Sequence, residues 1–440
     1  MRPDAQGRTA QPNWNRHMTT HAGRDRAFPV LAQRSAFPTL RHAGRFIYFD
    51  YAAGAQIPQG VFDAVNIHLL EHNVQRGGRY AQSVAVDEMI ARARARVAAF
   101  VNAWRPEEIA FGMNATSFIR TISLAVGQTL QGREEIIVTD LDHEANIATW
   151  CALQSMGARI RWWNARSDGR LHLEDLDQLV SANTRPVACT LASNALGSIV
   201  DVSGVSQIAH SVGAEVFIDA VHYGPHGPID VQALGCDYLV CSGYKIFAPH
   251  MGFLWGRYSA LAALPTFREE FIPDAPPGKI EAGTFIYENV AGMAAAMDYL
   301  AALGRRLAGA EAVGGGDDTR ENCLTAMCAI QAYEQTLSVA LLQMLERLGA
   351  DVYGTADPAR VGDRVPTVCF NLAGVAPAEV VTAAAAAGIG IRDGHMYAPR
   401  LMRRLGLSVD SGAVRVSLVH YNTHEEIERF GELMHRIRTV

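Results

Sequence analysis

Residues 216–245 read VFIDAVHYGPHGPIDVQALGCDYLVCSGYK, a stretch in which two short apolar runs are separated by a connection rich in glycine and proline. Each run has the length and apolar character of a strand buried in a parallel sheet. Asp219 ends the first run, and Lys245 follows the second run after a turn of small residues. A buried carboxylate needs a cationic partner, and a partly desolvated lysine amine is nucleophilic. The stretch therefore predicts two strands with a reactive site at their ends.

The same pattern extends on both sides of this stretch, from about residue 85 to 260. Seven apolar runs alternate with amphipathic segments: EEIAFGM, EEIIVTDL, ARIRWWN, PVACTLAS, AEVFIDAV, DYLVCSG and GFLWGR. Strands that alternate with helices indicate βαβ units and a mainly parallel sheet, here of seven strands. The functional residues of such a sheet gather at the carboxyl ends of its strands. We therefore expect an α/β fold.

The chain is long enough for two domains of unequal size. A glycine-rich, acidic stretch at residues 308–322 is predicted to be an exposed loop, and the helix and strand pattern beyond it indicates a smaller α/β domain. We expect a flexible tail at residues 1–40 and a large domain at residues 41–305, whose first segment contributes to the small domain or to an interface. The small C-terminal domain is expected at residues 306–440.

Composition favours a small-molecule enzyme. The 440 residues are 49% hydrophobic and 19% charged, which is typical of a soluble globular protein. A net charge of −6 gives no general attraction for nucleic acid or for an anionic membrane surface. No apolar stretch is long enough to span a bilayer, and the N-terminus lacks the apolar core of a secretory signal. We expect neither a nucleic-acid partner nor a membrane segment.

The seven cysteines predict reduced thiols in a cytoplasmic protein. Their number is odd, they are scattered, and most lie in apolar runs, so a disulfide framework is not indicated. No pair has CxxC spacing. His17 and His21 have the helical spacing of metal ligands but no cysteine or carboxylate cluster beside them. We therefore expect no metal site.

Further strand ends carry candidates for binding a flat, phosphorylated group. The amides of Ala115 and Thr116 and the Thr116 hydroxyl lie at the start of a helix, where they can bind an anion, although a simple helix cap is the alternative. His143 follows another strand, where an imidazole can stack on a ring and move protons. For Asp219, too, a plain structural role as a helix cap or in an ion pair is the alternative to a role in binding. Taken with Lys245 for an imine and Asp219 for a protonated pyridine nitrogen, the set points to pyridoxal phosphate chemistry.

A series of motifs, in order from about residue 46 to 436, resembles one family. The motifs are YFDYAAGAQIP, NVQRGGRY, DHEANIATW, SNALGSIVDV, DAVHYGPHGPIDVQALGCDYLVCSGYK, EAGTF and RVSLVHYNTHEEIERF. They are similar to the class V aminotransferases of fold type I, in the cysteine desulfurase and selenocysteine lyase branch. The resemblance implies a fold type I pyridoxal phosphate enzyme that acts on an amino acid, as a homodimer with shared active sites.

The resemblance also implies roles for individual residues. Lys245 would form the Schiff base with the cofactor, Asp219 would keep the pyridine nitrogen protonated, and His143 would stack on the ring. The residues implied to contact the other parts of the cofactor are Ala115, Thr116, Ser242, Tyr244 and, from across the dimer interface, Thr284 for the phosphate, with His222 at the 3-oxygen and Asn194 beside the ring. Tyr244 replaces a customary histidine, and His222 replaces a customary glutamine. The residues implied to bind the substrate are Arg415 at its carboxylate, Arg392 and Arg76 at the mouth of the site, Asn194, and Tyr397.

One departure from the family pattern bears on the reaction. Tyr397 stands where the desulfurases carry a loop cysteine that attacks the substrate sulfur, and no cysteine follows Cys369. A phenol cannot form a persulfide, so we expect a lyase that cleaves a carbon–sulfur bond of cysteine, a cysteine sulfoxide or an S-conjugate by β-elimination. Transamination, epimerisation and oxidative deamination are alternatives. A non-catalytic binding module is a further alternative, although such a module would not need Lys245, Asp219, His143 and Arg415 together.

Overall fold

The computed structural model describes residues 28–42, 44, 46–281, 283–309 and 319–438. The strands in these ranges are β1 Ile47–Tyr48, β2 Ile109–Gly112, β3 Glu135–Thr139, β4 Arg159–Trp163, β5 Thr184–Thr190, β6 Glu215–Asp219, β7 Tyr238–Ser242, β8 Gly252–Gly256, β9 Asp351–Tyr353, β10 Thr367–Asn371, β11 Ile389–Gly390, β12 Arg392–Gly394 and β13 Ala413–Ser417.

The α-helices in the same ranges are α1 Val30–Arg34, α2 Pro38–His42, α3 Gln59–Glu71, α4 Ala81–Val101, α5 Ala115–Gly127, α6 Ala145–Cys151, α7 Leu173–Asp177, α8 Val202–Ser211, α9 Val231–Leu234, α10 Tyr258–Ala263, α11 Tyr287–Leu307, α12 Thr319–Arg347, α13 Pro377–Ala386, α14 Pro399–Arg404 and α15 His424–Arg438. Short helical turns lie at Tyr51–Ala53, Pro106–Glu108, Ala152–Met156, Gly243–Lys245 and Pro358–Asp363.

The central sheet has seven strands in the order β2-β8-β7-β6-β5-β3-β4. Its strands pair in parallel from β4 to β7, whereas β8 runs antiparallel to both of its neighbours. Each strand coincides with one of the seven apolar runs, so the predicted, mainly parallel α/β sheet is confirmed. Strands β3, β7 and β8 are buried along their whole length because helices cover both faces of the sheet.

Alternate residues of each strand enter two different cores. Phe217 and Val240 pack with helices α5 and α6 on one face of the sheet, while Ile218 and Leu239 pack with α4, α8 and α11 on the other. This alternation is the two-residue period of a strand. The sheet is thereby held rigidly, and its strand ends are fixed points on which a site can be built.

The C-terminal part of the chain has its own antiparallel sheet, in the order β12-β13-β10-β9. A separate core, which includes Leu341 of α12 and Phe430 of α15, lies against this sheet. Strand β1 pairs in parallel with β11, so the first segment of the predicted large domain joins the C-terminal one. The domain boundaries themselves stay a prediction. Residues 319–322 were expected in a loop, but they form the first turn of α12.

The prediction of a flexible tail over residues 1–40 is wrong for residues 28–40. Most of this segment forms α1 and α2. Phe37 anchors it because its ring is fully buried and packs edge-on against Phe247, Tyr299 and Tyr421. Residues 1–27, with His17 and His21, lie outside the described residues. Among the described helices, none is long and apolar enough to cross a membrane.

Candidate active site

A cavity lies at the carboxyl ends of β3, β5, β6 and β7, the edge of a mainly parallel sheet at which ligands bind. The residues that line it are Ala115, Thr116, Ile119, His143, Ala145, Thr190, Asn194, Asp219, Val221, His222, Ser242, Tyr244 and Lys245. Nine of the ten residues predicted to bind the cofactor are in this set. The exception is Thr284.

Lys245 lies in the helical turn that follows β7. The turn passes so close to the neighbouring chain that a Cβ on Gly243 would lie 2.6 Å from the carbonyl oxygen of Pro249. The Lys245 side chain is buried, and this desolvation lowers the pKa of its amine to about 8, helped by the nearby charge of Arg415. About a tenth of the amine is therefore unprotonated at pH 7, against fewer than roughly one in a thousand for an ordinary lysine, and this free amine is the nucleophile.

Asp219 ends β6 and lines the same cavity. Its Oδ1 accepts a hydrogen bond from the backbone N–H of Val221 at 2.9 Å. Burial raises the pKa of this carboxyl group, while the Val221 hydrogen bond and the charge of Lys245 act in the opposite direction. A protonated ring nitrogen of a bound group would supply the cationic partner that a buried carboxylate needs.

His143 is a neutral imidazole at the β3 end of the cavity. Burial, together with the charges of Lys245 and Arg415, lowers its pKa to about 4. Its Nδ1 accepts a hydrogen bond from the backbone N–H of Ala145 at 3.1 Å, so the proton of the neutral ring is on Nε2. A neutral, oriented imidazole can stack on the flat ring of a bound molecule.

The start of helix α5 forms the anion-binding end of the cavity. Asn114 caps this helix by accepting a hydrogen bond from the Ser117 N–H at 2.9 Å, and it leaves the Ala115 and Thr116 amides to the cavity that these residues line. Only glycine fits at position 252, because a Cβ there would lie 2.9 Å from the Ala115 nitrogen. Free amides at the positive end of a helix favour a phosphate group.

His222 is held from two sides by the protein itself. Its Nδ1 is 3.0 Å from the Tyr51 hydroxyl, and its Nε2 is 2.9 Å from the Thr367 hydroxyl. Burial keeps the pKa of the ring well below its usual value, so the ring is neutral. The predicted contact of His222 with the cofactor's 3-oxygen stays a prediction, and it requires the ring to exchange one of these two partners.

Two of the predicted substrate-binding arginines share one carboxylate. Arg415 is buried in β13, and it donates to the Asn194 carbonyl oxygen and to Asp50 Oδ1, both at 3.0 Å. Arg392 Nη2 is 3.0 Å from the other oxygen of Asp50. Two guanidinium groups and one carboxylate leave a net charge of +1, which favours a substrate carboxylate. Sequence reasoning missed Asp50, although it lies in the quoted motif YFDYAAG.

Thr284 and Arg76 do not line this cavity, and neither do Arg415, Arg392 and Tyr397. The Thr284 hydroxyl accepts a hydrogen bond from Gln75 Nε2 at 2.9 Å, and Arg76 forms an ion pair of 3.2 Å with Asp87. Thr284 and Arg76 are exposed. Their predicted roles therefore depend on a second subunit.

Tyr397 lies beside His143, with 5.5 Å between the ring centroids. Its side chain is 55% exposed. The loop that carries it is hydrogen bonded to Asn194 and to Glu144, which follow strands β5 and β3 of the central sheet. Apart from its place next to His143, nothing in the local sequence signals that Glu144 belongs to the site.

The residues of the cavity fit pyridoxal phosphate. A nucleophilic lysine, a buried carboxylate, a stacking imidazole and an anion-binding helix end face one space. In addition, Asn194 Oδ1 is buried without a hydrogen-bond partner among the described residues, so the wall of the site offers an acceptor to a bound group. The fold and the site together define a fold type I pyridoxal phosphate enzyme.

Comparison with known proteins identifies the family. The sequence matches the aminotransferase class-V family over residues 47–312 and 323–430. The chain therefore belongs to this family, in its cysteine desulfurase-like branch, and its cofactor is pyridoxal phosphate.

The chain is 34% identical to the aminotransferase-like protein FGM3 of Gibberella zeae, over 92% of this chain and 97% of that protein. It is 33% identical to a cysteine desulfurase of Synechococcus elongatus over 94% of this chain, but it spans only 64% of that protein's length. The solved apo structure of a cysteine desulfurase from Thermococcus onnurineus NA1 matches with a TM-score of 0.82 and 25% identity, over 95% of this chain and 100% of that one.

Proposed function

We propose that the protein is a carbon–sulfur lyase that cleaves cysteine or a cysteine S-conjugate by β-elimination, without a cysteine as sulfur acceptor. The observation that carries this proposal is the state of the seven thiols. None of them lines the cavity, and burial raises the pKa of every one. A sulfur-accepting cysteine must be an accessible thiolate. The position beside His143 is instead held by Tyr397, whose phenol cannot carry a persulfide.

The cofactor would be held by the residues that line the cavity. Lys245 would bind its aldehyde carbon covalently, Asp219 its ring nitrogen, and His143 one face of its ring. The anion-binding end, formed by Ala115, Thr116 and Ser242, would bind its phosphate. Bound in this way, pyridoxal phosphate supplies an electron sink for bonds at the substrate's Cα.

The chain's own groups would then direct the elimination. Arg415 and Arg392 orient the substrate through its carboxylate. Lys245 Nζ would take the proton from Cα of the bound substrate. The bond between Cβ and sulfur breaks, the electron pair leaves on sulfur, and the Tyr397 hydroxyl donates a proton to it. Addition of water then gives pyruvate, ammonia and a free thiol, with no oxidant or reductant required.

The test is product analysis with a panel of L-cysteine, cysteine sulfoxides and S-substituted cysteines. The lyase is expected to release pyruvate and thiol in equal amounts from at least one of them, and Lys245→Ala is expected to release neither. A keto acid that retains the sulfur would instead indicate transamination, and inverted configuration at Cα would indicate epimerisation. Either result without pyruvate would overturn the proposal.

The assembly and the location of the protein are part of the same proposal. A homodimer is supported by the positions of Thr284 and Arg76, which are exposed and outside the cavity of their own subunit, where a second subunit could use them. The cytoplasm is proposed on the prediction of reduced thiols, and all seven cysteines are free in the structure.

A further inference from the structure

We propose that the ion pair between Glu144 and Arg400 is a latch that fixes Tyr397 against His143. The loop from His395 to Ala398, called the tyrosine loop below, is then a stationary wall of the site and not a mobile arm. The part played by Tyr397 in catalysis rests on the proposed function. The fixed position of the loop does not.

The backbone of the tyrosine loop is held in a conformation that needs support. Met396 and Tyr397 have φ values of 50° and 57°, a region that residues other than glycine rarely adopt. Two hydrogen bonds from the large domain hold it there: Asn194 Nδ2 donates to the Met396 carbonyl oxygen at 2.6 Å, and the Glu144 N–H donates to the Tyr397 carbonyl oxygen at 2.8 Å. Met396 is buried, which anchors the loop further.

The helix that follows the loop, α14, is bound to the same part of the large domain. The Arg400 guanidinium forms a forked ion pair with the Glu144 carboxylate, with Nε and Nη2 both 3.2 Å from it, and it lies 5.0 Å from the centre of the Trp162 ring. One turn later, Arg404 Nε is 2.6 Å from Asp140 Oδ2. Glu144 and Asp140 both lie in the segment that connects β3 to α6.

This arrangement couples the tyrosine to the catalytic histidine. Glu144 directly follows His143, so one short segment sets the positions of both the imidazole and the phenol that lies beside it. A swinging loop would withdraw the phenol from the leaving sulfur. Glu144 and Arg400 contact the tyrosine loop and each other, and they are therefore positioning residues that act through Tyr397.

Hydrogen–deuterium exchange tests the latch without any reaction. The sample is the full chain loaded with cofactor, without amino acid, and the readout is exchange in peptides covering residues 395–402. Arg400→Gln is expected to speed exchange about twofold to fivefold, in line with the loss of a partly exposed ion pair. Arg403→Gln is the matched control, because it removes the same charge from an exposed position on the same helix. Equal exchange in wild type and Arg400→Gln would overturn the latch.

Kinetics test whether the latch acts through Tyr397. Arg400→Gln is expected to lower kcat severalfold with little change in KM, and Arg400→Lys to recover part of the loss, since lysine keeps the charge but not the fork. In a Tyr397→Phe background, Arg400→Gln should have no further effect on kcat. If the losses of kcat from Tyr397→Phe and Arg400→Gln multiply in the double variant, the Glu144–Arg400 ion pair does not act through Tyr397. That result would overturn the positioning role.

The two outcomes separate this inference from the proposed function. If no cysteine derivative yields pyruvate, the lyase fails, while the exchange measurement still decides on the latch. If pyruvate forms but exchange is unaffected by Arg400→Gln, the latch fails and the lyase stands.

Discussion

Arg392 and Arg415 lie directly opposite each other on the neighbouring antiparallel strands β12 and β13, and each binds one oxygen of Asp50. Like charges in such a position repel, so the shared carboxylate is needed to hold them together. Asp50 thereby keeps both guanidinium groups near the cavity with one positive charge unbalanced. Arg415 Nε is buried without a partner among the described residues, and it is a donor that a substrate carboxylate can use.

Arg415→Lys is therefore expected to raise KM for an amino-acid substrate by roughly tenfold to a hundredfold, because an ammonium cannot replace the rigid fork of donors. Arg392→Lys should have a smaller effect, since its side chain is 39% exposed and water competes for it. Arg403→Lys, on the exposed face of α14, is the control. A KM unchanged by Arg415→Lys would mean that the substrate carboxylate binds elsewhere.

Cofactor loading should report the lowered pKa of Lys245. The free amine attacks the cofactor aldehyde, and burial lowers the pKa of this amine to about 8. Below pH 8 the group is mostly protonated and unreactive, so the loading rate should rise about tenfold per pH unit and level off above pH 8. An ordinary lysine would keep gaining rate up to about pH 10.4. The loading rate is measured by stopped-flow absorbance after the protein freed of cofactor is mixed with pyridoxal phosphate at each pH.

The control for loading is the second lysine of the chain. Lys279 is bound to Asp274 at 2.6 Å and does not line the cavity, so Lys279→Arg should load normally. Lys245→Ala should bind the cofactor only reversibly and should be inactive. Covalent binding of the cofactor to Lys245→Ala would show that Lys245 is not the residue that forms the Schiff base.

The variant Asp219→Asn tests whether Asp219 binds the cofactor or only caps the local structure. Because burial disfavours the charged carboxylate, the protein without cofactor should be as stable or more stable after this change. With cofactor, kcat should fall about a hundredfold or more, since an amide cannot keep the ring nitrogen protonated. Thermal unfolding with and without cofactor distinguishes the two roles.

A suitable control for this pair of measurements is Asp201→Asn. Asp201 caps α8 by accepting a hydrogen bond from the Gly204 N–H at 3.0 Å, and asparagine caps a helix equally well. A loss of stability in the protein without cofactor after Asp219→Asn, with activity kept, would identify Asp219 as a cap.

Mixing two inactive variants tests the shared sites of the proposed dimer. If Arg76 completes the neighbouring subunit's site, Lys245→Ala and Arg76→Ala chains refolded together form mixed dimers in which one site has both native residues. Half of the dimers are mixed and one site in two is restored, so about a quarter of wild-type activity should return. Light scattering gives the assembly state, and an active monomer would refute the dimer.

Much of the fold and the cofactor cavity could be predicted from sequence, because local signals carry them. The seven apolar runs became the seven strands of the central sheet, and Asp219, His143 and Ser242 lie at strand ends because a parallel sheet places its carboxyl ends together. Residues 28–40 were misjudged because the burial of Phe37 depends on Phe247, Tyr299 and Tyr421, more than 200 residues away in the chain. Composition cannot show such a contact.

The polar contacts around the site could not be predicted for the same reason. Asp50 joins two strands that lie more than 340 residues later, and Arg400 meets Glu144 across 256 residues. Each is an ordinary charged residue in its local sequence. Their importance comes from pairing across the fold, which only the tertiary structure shows.

The fate of the sulfur distinguishes a lyase from a desulfurase. If Tyr397 replaces the sulfur-accepting thiol, no persulfide should build up on any of the seven cysteines during turnover, and mass spectrometry of the intact, alkylated protein checks this. If Tyr397 protonates the leaving sulfur, Tyr397→Phe should lower kcat by about a hundredfold or more for an S-alkyl cysteine, whose thiolate leaves poorly. The loss should shrink for an S-aryl cysteine, because a more acidic thiol leaves without help. A uniform loss across both substrates would reduce Tyr397 to a packing contact. A persulfide that tracks turnover would restore a desulfurase with a relocated nucleophile.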